Sequence, residues 1–375
     1  MPITREPART STRRWYPKSR TGCRSCKSRK IKCDELRPCC RNCIKRGIEC
    51  DFVQSTTAPT PLVPDRTVGV SIELELLHHF TVSTCSTLST EAQVRNLWRI
   101  NVPQIGFSVK YVLDGILSLS ALHLARFDPA RKDFLVSQSV LYHTASSAVA
   151  LPQVCSITAQ NCCSLFLFGV LTLFFSLASP KKPDDILVVS NGVIPEWLFL
   201  LRGIRPMFEL QKAAILTSPV SVLFRTTISS VSFWESHSPE DHEFLKELEY
   251  NIRAQNANDS WKEKTLLDAV DALKRSYSFL KGKDFRDQDK LRGFYIWIFR
   301  ISDDYLKLLK KADNDALCVF AFFCVLLREL ERYWWMEGWA VHLMRRIYLM
   351  LDDVYRLWIR WPMEEIGWIP EPALR

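Results

Sequence analysis

The sequence predicts two unlike parts, a small domain built around cysteine at residues 22–52 and a large all-helical domain over 71–375. Three observations predict this. Seven of the chain's thirteen cysteines fall within GCRSCKSRKIKCDELRPCCRNCIKRGIECDF, residues 22–52. Residues 53–70, VQSTTAPTPLVPDRTVGV, are rich in Ser, Thr and Pro with little to bury, the composition of a flexible linker. From residue 71 onward apolar residues recur at three- and four-residue intervals, the period of a helix with one buried face.

Charge divides the chain at the same place. Residues 1–52 carry fifteen Lys and Arg against five Asp and Glu, a net of +10, while the rest carries thirty-five against thirty-six. A local field of that sign suits a polyanion such as nucleic acid. Residues 1–21 alone read as a basic arm without a core. The opening MPITREPARTSTRRWYP has no apolar stretch of the secretory kind, so the thiols are expected reduced or metal-bound.

The cysteine spacing is Cys23-x2-Cys26-x6-Cys33, six residues, then Cys40-x2-Cys43-x6-Cys50, a repeat at an offset of 17 residues. An x2 spacing lets two thiolates converge on one metal from a helix start, and x6 leaves room for a short helix before the chain returns. Tetrahedral zinc wants four thiolates per ion, so six cysteines complete two ions only if two of them are shared. The repeat places the shared pair at equivalent positions in the two halves. Cys39 is the spare thiol, because using it in place of Cys40 breaks the repeat. Between Cys26 and Cys33 lies KSRKIK, four cations in six residues, whereas IKRGIE between Cys43 and Cys50 holds two cations and an acid. The first half is the better candidate for facing DNA, with some cations on phosphates and one or two on base edges.

Residues 22–52 resemble the fungal binuclear zinc cluster (Zn2Cys6) DNA-binding domain. The resemblance rests on the six cysteines, the run KSRKIK, the Cys-Asp-Glu at 33–35 and a proline two residues before Cys40. It implies two Zn2+ ions bridged by Cys23 and Cys40, a base-reading Lys30 with Arg29 beside it, and backbone contacts from Lys27 and Lys32. It also implies Pro38 as the turn between two helices, and a CGG-type triplet in double-stranded DNA as the target.

The helical region is read in order. IGFSVKYVLDGILSLSALHLARF, residues 105–127, predicts a helix stopped by Asp128-Pro129, and further helices are expected over 131–150, 157–178, 196–210, 240–254, 263–281, 290–311, 314–334 and 339–361. Strand-like alternation is confined to short pieces such as ILVVS, 186–190. The uncharged run at 162–179 sits at the lower edge of membrane-spanning length, but Ser, Thr and Cys dilute it, so a buried core helix is expected and no span. LELLHHF (74–80), LWRINVPQIGFS (97–108), LSLSALHLA (117–125), YWWMEGWAVHLM (333–344) and WIRWPMEEIG (358–367) resemble the sterol uptake control group of fungal regulators. That resemblance implies a helical regulatory domain and raises an apolar ligand such as a sterol. Trp334, Trp335, Met336, Gly338 and Trp339 are the candidate pocket, indoles lining a flat apolar cavity with the Phe-rich stretch 165–175, with ordinary core filling as the alternative.

Enzyme chemistry finds no footing. There is no GxGxxG, P-loop, GxSxG or HExxH motif. His78 and His79 are neighbours facing different ways, His237 and His242 sit in a polar stretch, and the remaining cysteines lie mostly in apolar surroundings. The reading is a nuclear, sequence-specific, zinc-dependent regulator of RNA polymerase II genes. The alternative is a helical small-molecule sensor or scaffold whose cluster binds DNA only non-specifically. Residues 53–90 show no sustained heptad repeat, so monomer and dimer both stay open.

Overall fold

The computed structural model describes residues 21–36, 39–52, 71–189, 193–223, 242–281 and 287–370. The basic arm up to residue 20, Pro38, the linker at 53–70 and His237 lie outside these. The chain divides into two units, Met1–Val70 and Ser71–Arg375.

The first unit is two short helices related by the 17-residue repeat. Helix α1 spans Arg24–Ser28 and α2 spans Arg41–Ile44, each entered from an extended cysteine, Cys23 and Cys40. Both end in the same turn. After α1, Ile31 N donates to Cys26 O and Lys30 N to Lys27 O, each at 3.1 Å; after α2, Ile48 N donates to Cys43 O at 3.2 Å and Gly47 N to Ile44 O at 3.1 Å. That paired pattern is a Schellman turn, which needs one left-handed residue. It is Gly47 in the second half (φ 62°) and Lys30 in the first (φ 55°).

The halves then exchange caps. Arg24 N at the start of α1 donates to Asp51 Oδ1 at 2.8 Å, and Arg41 N at the start of α2 donates to Asp34 Oδ2 at 3.2 Å. Ser25 Oγ donates to Glu49 O at 3.0 Å, and Asn42 Nδ2 donates to Lys32 O at 2.7 Å. Every partner pair is offset by the repeat, so each helix start is completed by the other half.

The second unit is helical, with no strand among the described residues. Helix α3 (Ile72–His79) runs through a π turn, Phe80–Thr84, into Cys85–Thr87. Helix α4 (Ala92–Asn96) likewise runs through Leu97–Asn101 into Val102–Ser108. Then follow α5 (Lys110–Leu124), α6 (Lys132–Ala150), α7 (Cys162–Ala178) and α8 (Glu196–Thr217). Helix α5 packs on α3, α6 and α7, and α7 packs on α8. Next come α9 (Glu243–Gln255), α10 (Ser260–Lys281), α11 (Asp287–Arg300), α12 (Asp303–Lys310) and α13 (Asn314–Arg328). The described chain ends with α14 (Trp339–Met350), α15 (Asp353–Trp358) and α16 (Arg360–Ile366). Helix α13 is buried at every position from Asp315 to Leu327, sheathed by α10, α11, α12, α14, α15 and α16. A helix buried all round reads as apolar all round, which is why its sequence shows little amphipathic contrast.

Four local expectations change. The helix expected over 290–311 is broken at Ser302, whose side chain caps α12, and the one expected over 339–361 is broken at Asp352, which caps α15, and again at Ile359. The single helix over 105–127 is two, because Val109 is extended (φ −129°, ψ 97°) between Ser108 and Lys110. A β-branched residue at that joint favours the extended backbone. Its far end stands as read: α5 finishes at Leu124, and Asp128 Oδ1 accepts from Arg131 N at 3.2 Å to start the next turn. ILVVS is no strand over its described residues, 186–189. It is a tight buried turn in which Val188 N donates to Ile186 O at 2.7 Å, and Leu187 takes φ 65°. Its apolar side chains are all in the core, so the run reflects burial and not sheet alternation. The run at 162–178 is the core helix α7, and no described helix is long and apolar enough to cross a membrane.

Gly115 sets the approach of α5 to α7. A Cβ there would sit 2.9 Å from Leu171 Cδ1 and 3.3 Å from Leu171 Cβ. Gly115→Val therefore overpacks this contact and is expected to destabilise the second unit by about 1–3 kcal/mol, read as a lowered urea midpoint with an unchanged m-value.

Candidate metal centre and nucleic-acid interface

The interior of the first unit is made of Cys23, Cys26, Cys33, Cys40, Cys43, Cys50 and Phe52. Cys23 and Cys40 precede the two short helices, Cys26 and Cys43 lie within them, and Cys33 and Cys50 return after the turns, so all six cysteines are buried together. Cys23 Sγ lies 3.7 Å from Cys40 Sγ and 3.8 Å from Cys43 Sγ, and Cys26 Sγ lies 3.6 Å from Cys40 Sγ. Cys33 Sγ comes within 4.8 Å of Cys40 Sγ, and Cys50 Sγ within 4.8 Å of Cys23 Sγ. Cys23 and Cys40 thus each border both ends of the cluster.

These distances fit zinc. Thiolates at about 2.3 Å from a tetrahedral ion stand about 3.8 Å apart. The protons tell the same story. Burial pushes the thiols of Cys23, Cys26 and Cys43 up to about 12. At Cys40 burial pushes the same way, but the Cys43 amide and the thiols of Cys43, Cys26 and Cys23 hold it down at about 6. Cys50 is also held below the ordinary thiol value, the amides of Cys40 and Phe52 outweighing burial. Sulfurs this crowded cannot all ionise against one another, and a divalent cation between them removes that obstacle.

The spare thiol packs against the rim of the cluster. Cys39 is only half-buried, and its Sγ donates to Cys40 O at 3.8 Å.

Of the basic side chains, Lys27, Lys30 and Lys32 are exposed around the end of α1. Arg29 is not outward. Its Nε donates to Ser25 O at 2.9 Å and its Nη2 to Cys43 Sγ at 3.8 Å, so the guanidinium faces the thiols of the other half. Asp34 and Asp51 are the site residues that spacing alone missed. The signal was present, because each follows the last cysteine of its half.

In the second unit the tryptophan-rich segment is split. Trp335, Met336 and Trp339 are 1%, 0% and 2% exposed, core filling rather than cavity wall. Trp335 packs edge-on against Phe174 at 5.0 Å, and Trp339 Nε1 donates to Leu177 O at 2.8 Å, so both seal onto α7. Gly338 takes φ 74° to open α14, with Lys181 beside it. Trp334 alone of the group lines an open cleft. His78 and His79 do point apart: His79 Nε2 meets His123 Nδ1 at 3.0 Å, while His78 takes no part in that pair.

Residues 21–59 match the fungal Zn(2)-Cys(6) binuclear cluster domain, and residues 75–238 match the fungal specific transcription factor domain. The chain is 26% identical over 434 residues to a Zn(2)-C6 fungal-type transcription factor of Gibberella zeae, covering 94% of this chain and 86% of that one. It is 27% identical over 281 residues to the Zn(2)-C6 fungal-type transcription factor afumD of Aspergillus fumigatus, covering 66% of this chain and 73% of that protein. Sterol uptake control protein 2 of Candida albicans is 48% identical over 287 residues, 71% of this chain but 38% of its own length. A cluster domain of this kind binds zinc and DNA, and the family consists of transcription regulators, not enzymes. Sulfurs set at tetrahedral edges and both domain matches lead to one assignment: this chain belongs to the fungal Zn(2)-C6 transcription factors.

Proposed function

We propose that this chain is a sequence-specific regulator of RNA polymerase II genes, acting in the nucleus, whose residues 22–52 hold two zinc ions and read a CGG-type triplet. Cys23, Cys26, Cys33 and Cys40 hold one ion, and Cys23, Cys40, Cys43 and Cys50 hold the other. The short Cys23–Cys40 distance, 3.7 Å, supports that shared edge. Zinc here supplies structure, since four thiolates leave no open position. The fixed helix α1 then presents its end to the major groove, where a lysine donates to guanine O6 and N7.

The observation that carries this reading is Lys30. It holds a left-handed backbone (φ 55°) at the place where the equivalent residue is glycine, Gly47. A side chain there costs about 1 kcal/mol relative to glycine. Strain kept at an exposed cation, beside Lys27 and Lys32, supports a base-reading contact there. Lys27 and Lys32 serve as phosphate contacts, and Arg29 holds the turn against the cluster. The alternative role, a sensor with a non-specific cluster, has no use for strain at one lysine. In the helical unit, relatives named sterol uptake control protein 2 make a sterol the first neutral ligand to test.

Lys30 gives an unusually clean experiment, because glycine there relieves strain. Lys30→Gly is expected to keep two zincs and to gain up to about 1 kcal/mol of stability, yet to bind its selected duplex at least tenfold more weakly. Selection from randomised duplex DNA, then competition titration, measures this; equal affinity and an unchanged selected sequence would sink the reading. Uniform, salt-sensitive binding without any enriched triplet favours the alternative. For the metal, Cys39→Ser is expected to retain two zincs per chain and Cys40→Ser to lose at least one, as counted by elemental analysis. Asp34→Ala and Asp51→Ala each remove one cross-cap and are expected to cost about 1 kcal/mol, seen as a lower chelator concentration at half-release of zinc.

A further inference from the structure

We propose that Arg29 is a positioning residue of the metal centre: it ties the zinc ion held through Cys43 to the turn that carries Lys30, and it makes no phosphate contact. That role rests on the two-zinc, DNA-reading function proposed above, and it removes one cation from the DNA interface. The guanidinium of Arg29 is half-buried, and both of its bonds run inward, Nε to Ser25 O at 2.9 Å and Nη2 to Cys43 Sγ at 3.8 Å. Ser25 lies in α1 and Cys43 in α2, so one side chain spans the two halves. Backbone amides serve other sulfurs, as Cys23 N and Glu35 N serve Cys33 Sγ, each at 3.4 Å. Cys43 takes a charged donor, and a hydrogen bond from a cation to an anionic acceptor is about twice as strong as a neutral one.

Charge gives the contact its purpose. Six thiolates carry six negative charges and two zinc ions four positive ones, so the loaded core is anionic, in an interior where each of the six cysteines is 4% exposed or less. Buried charge without a partner is costly, and a donor on a ligand sulfur orients that ligand and tunes its metal. In the two-zinc arrangement Cys43 belongs to one ion only, the ion of the second half. Arg29 therefore acts on that ion, although it stands in the first half. It also directly precedes Lys30, so anchoring its side chain at Ser25 and Cys43 holds the strained turn in register with the metal. The repeat contains its own comparison. Arg46 occupies the same place 17 residues on, but its side chain is exposed and has no partner among the described residues, and the glycine after it presents no cation.

The test uses the full chain loaded with cadmium-113, a thiolate-binding stand-in for zinc that gives one NMR resonance per ion. Arg29→Gln is expected to displace one of the two resonances and leave the other in place, and Arg46→Gln to move neither. Arg29→Gln also gives up one ion about tenfold more readily in a chelator titration. If it holds only one cadmium, Arg29→Lys, which keeps the charge, must hold both and displace the resonance that Arg29→Gln loses. On the zinc-loaded chain and its selected duplex, Arg29→Gln is expected to bind about tenfold more weakly with the slope of log affinity against log salt unchanged, whereas loss of one phosphate contact makes that slope shallower by about 0.9. Two resonances left in place, both displaced equally, an equal effect of Arg46→Gln, or a slope shallower by about 0.9 overturns the proposal. The cadmium spectra are recorded without DNA, so a wild-type chain that enriches no triplet sinks the DNA reading and leaves the metal role of Arg29 standing.

Discussion

Everything in the first unit depends on six sulfurs sharing a space that has almost no other content. Among the described residues, Phe52 is the one apolar side chain beside the cysteines in that interior. A segment of this size cannot hide enough apolar surface to offset the entropy of ordering it. The favourable energy must come from bonds to a cation, and those bonds need the sulfurs at tetrahedral edges before anything else can be placed. Helices of five and four residues would not form alone. They exist because their first residues are pinned by Cys23 and Cys40, and their starts are capped by Asp51 and Asp34 from the opposite half.

That exchange of caps has a mechanical result. Neither half can relax alone, since loosening one removes the acceptor that completes the other helix. Arg29 adds a further cross-tie, from the far end of α1 to Cys43. The pseudo-twofold is then broken where symmetry would be useless. Gly47 ends its helix without strain or side chain, and Lys30 ends the other with both. One scaffold element is repeated, and only one copy carries the cation.

Much of this was legible in the chain, and for identifiable reasons. The 17-residue offset picks Cys40 over Cys39 because metal ligation repeats along the sequence. The same offset contains Asp34 with Asp51, and Ser25 with Asn42, but cross-half capping shows only when the helix starts are seen to face each other. Arg29 was indistinguishable from its neighbours in KSRKIK, because direction at a helix end depends on the turn that follows. In the helical unit, periodicity found the helices, yet not the joint at Val109, where one extended residue leaves the apolar pattern intact. ILVVS misled because a buried turn and a buried strand share a composition. Trp334 and Trp335 are adjacent and opposite in use, one on a cleft and one against Phe174. The cleft itself joins residues near 87, 123 and 334, a juxtaposition that no local pattern encodes.

The division of charge constrains how the helical unit can act. Residues 1–52 carry a net of +10, and the remaining residues carry a net of −1. Attraction to DNA phosphates therefore belongs to the amino-terminal segment, and the helical unit adds almost none of it. A ligand taken up by the helical unit therefore cannot alter DNA affinity by adding appreciable charge to it. It can act only by favouring one arrangement of that unit's helices over another, and its effect is limited to the difference in affinity between the two states.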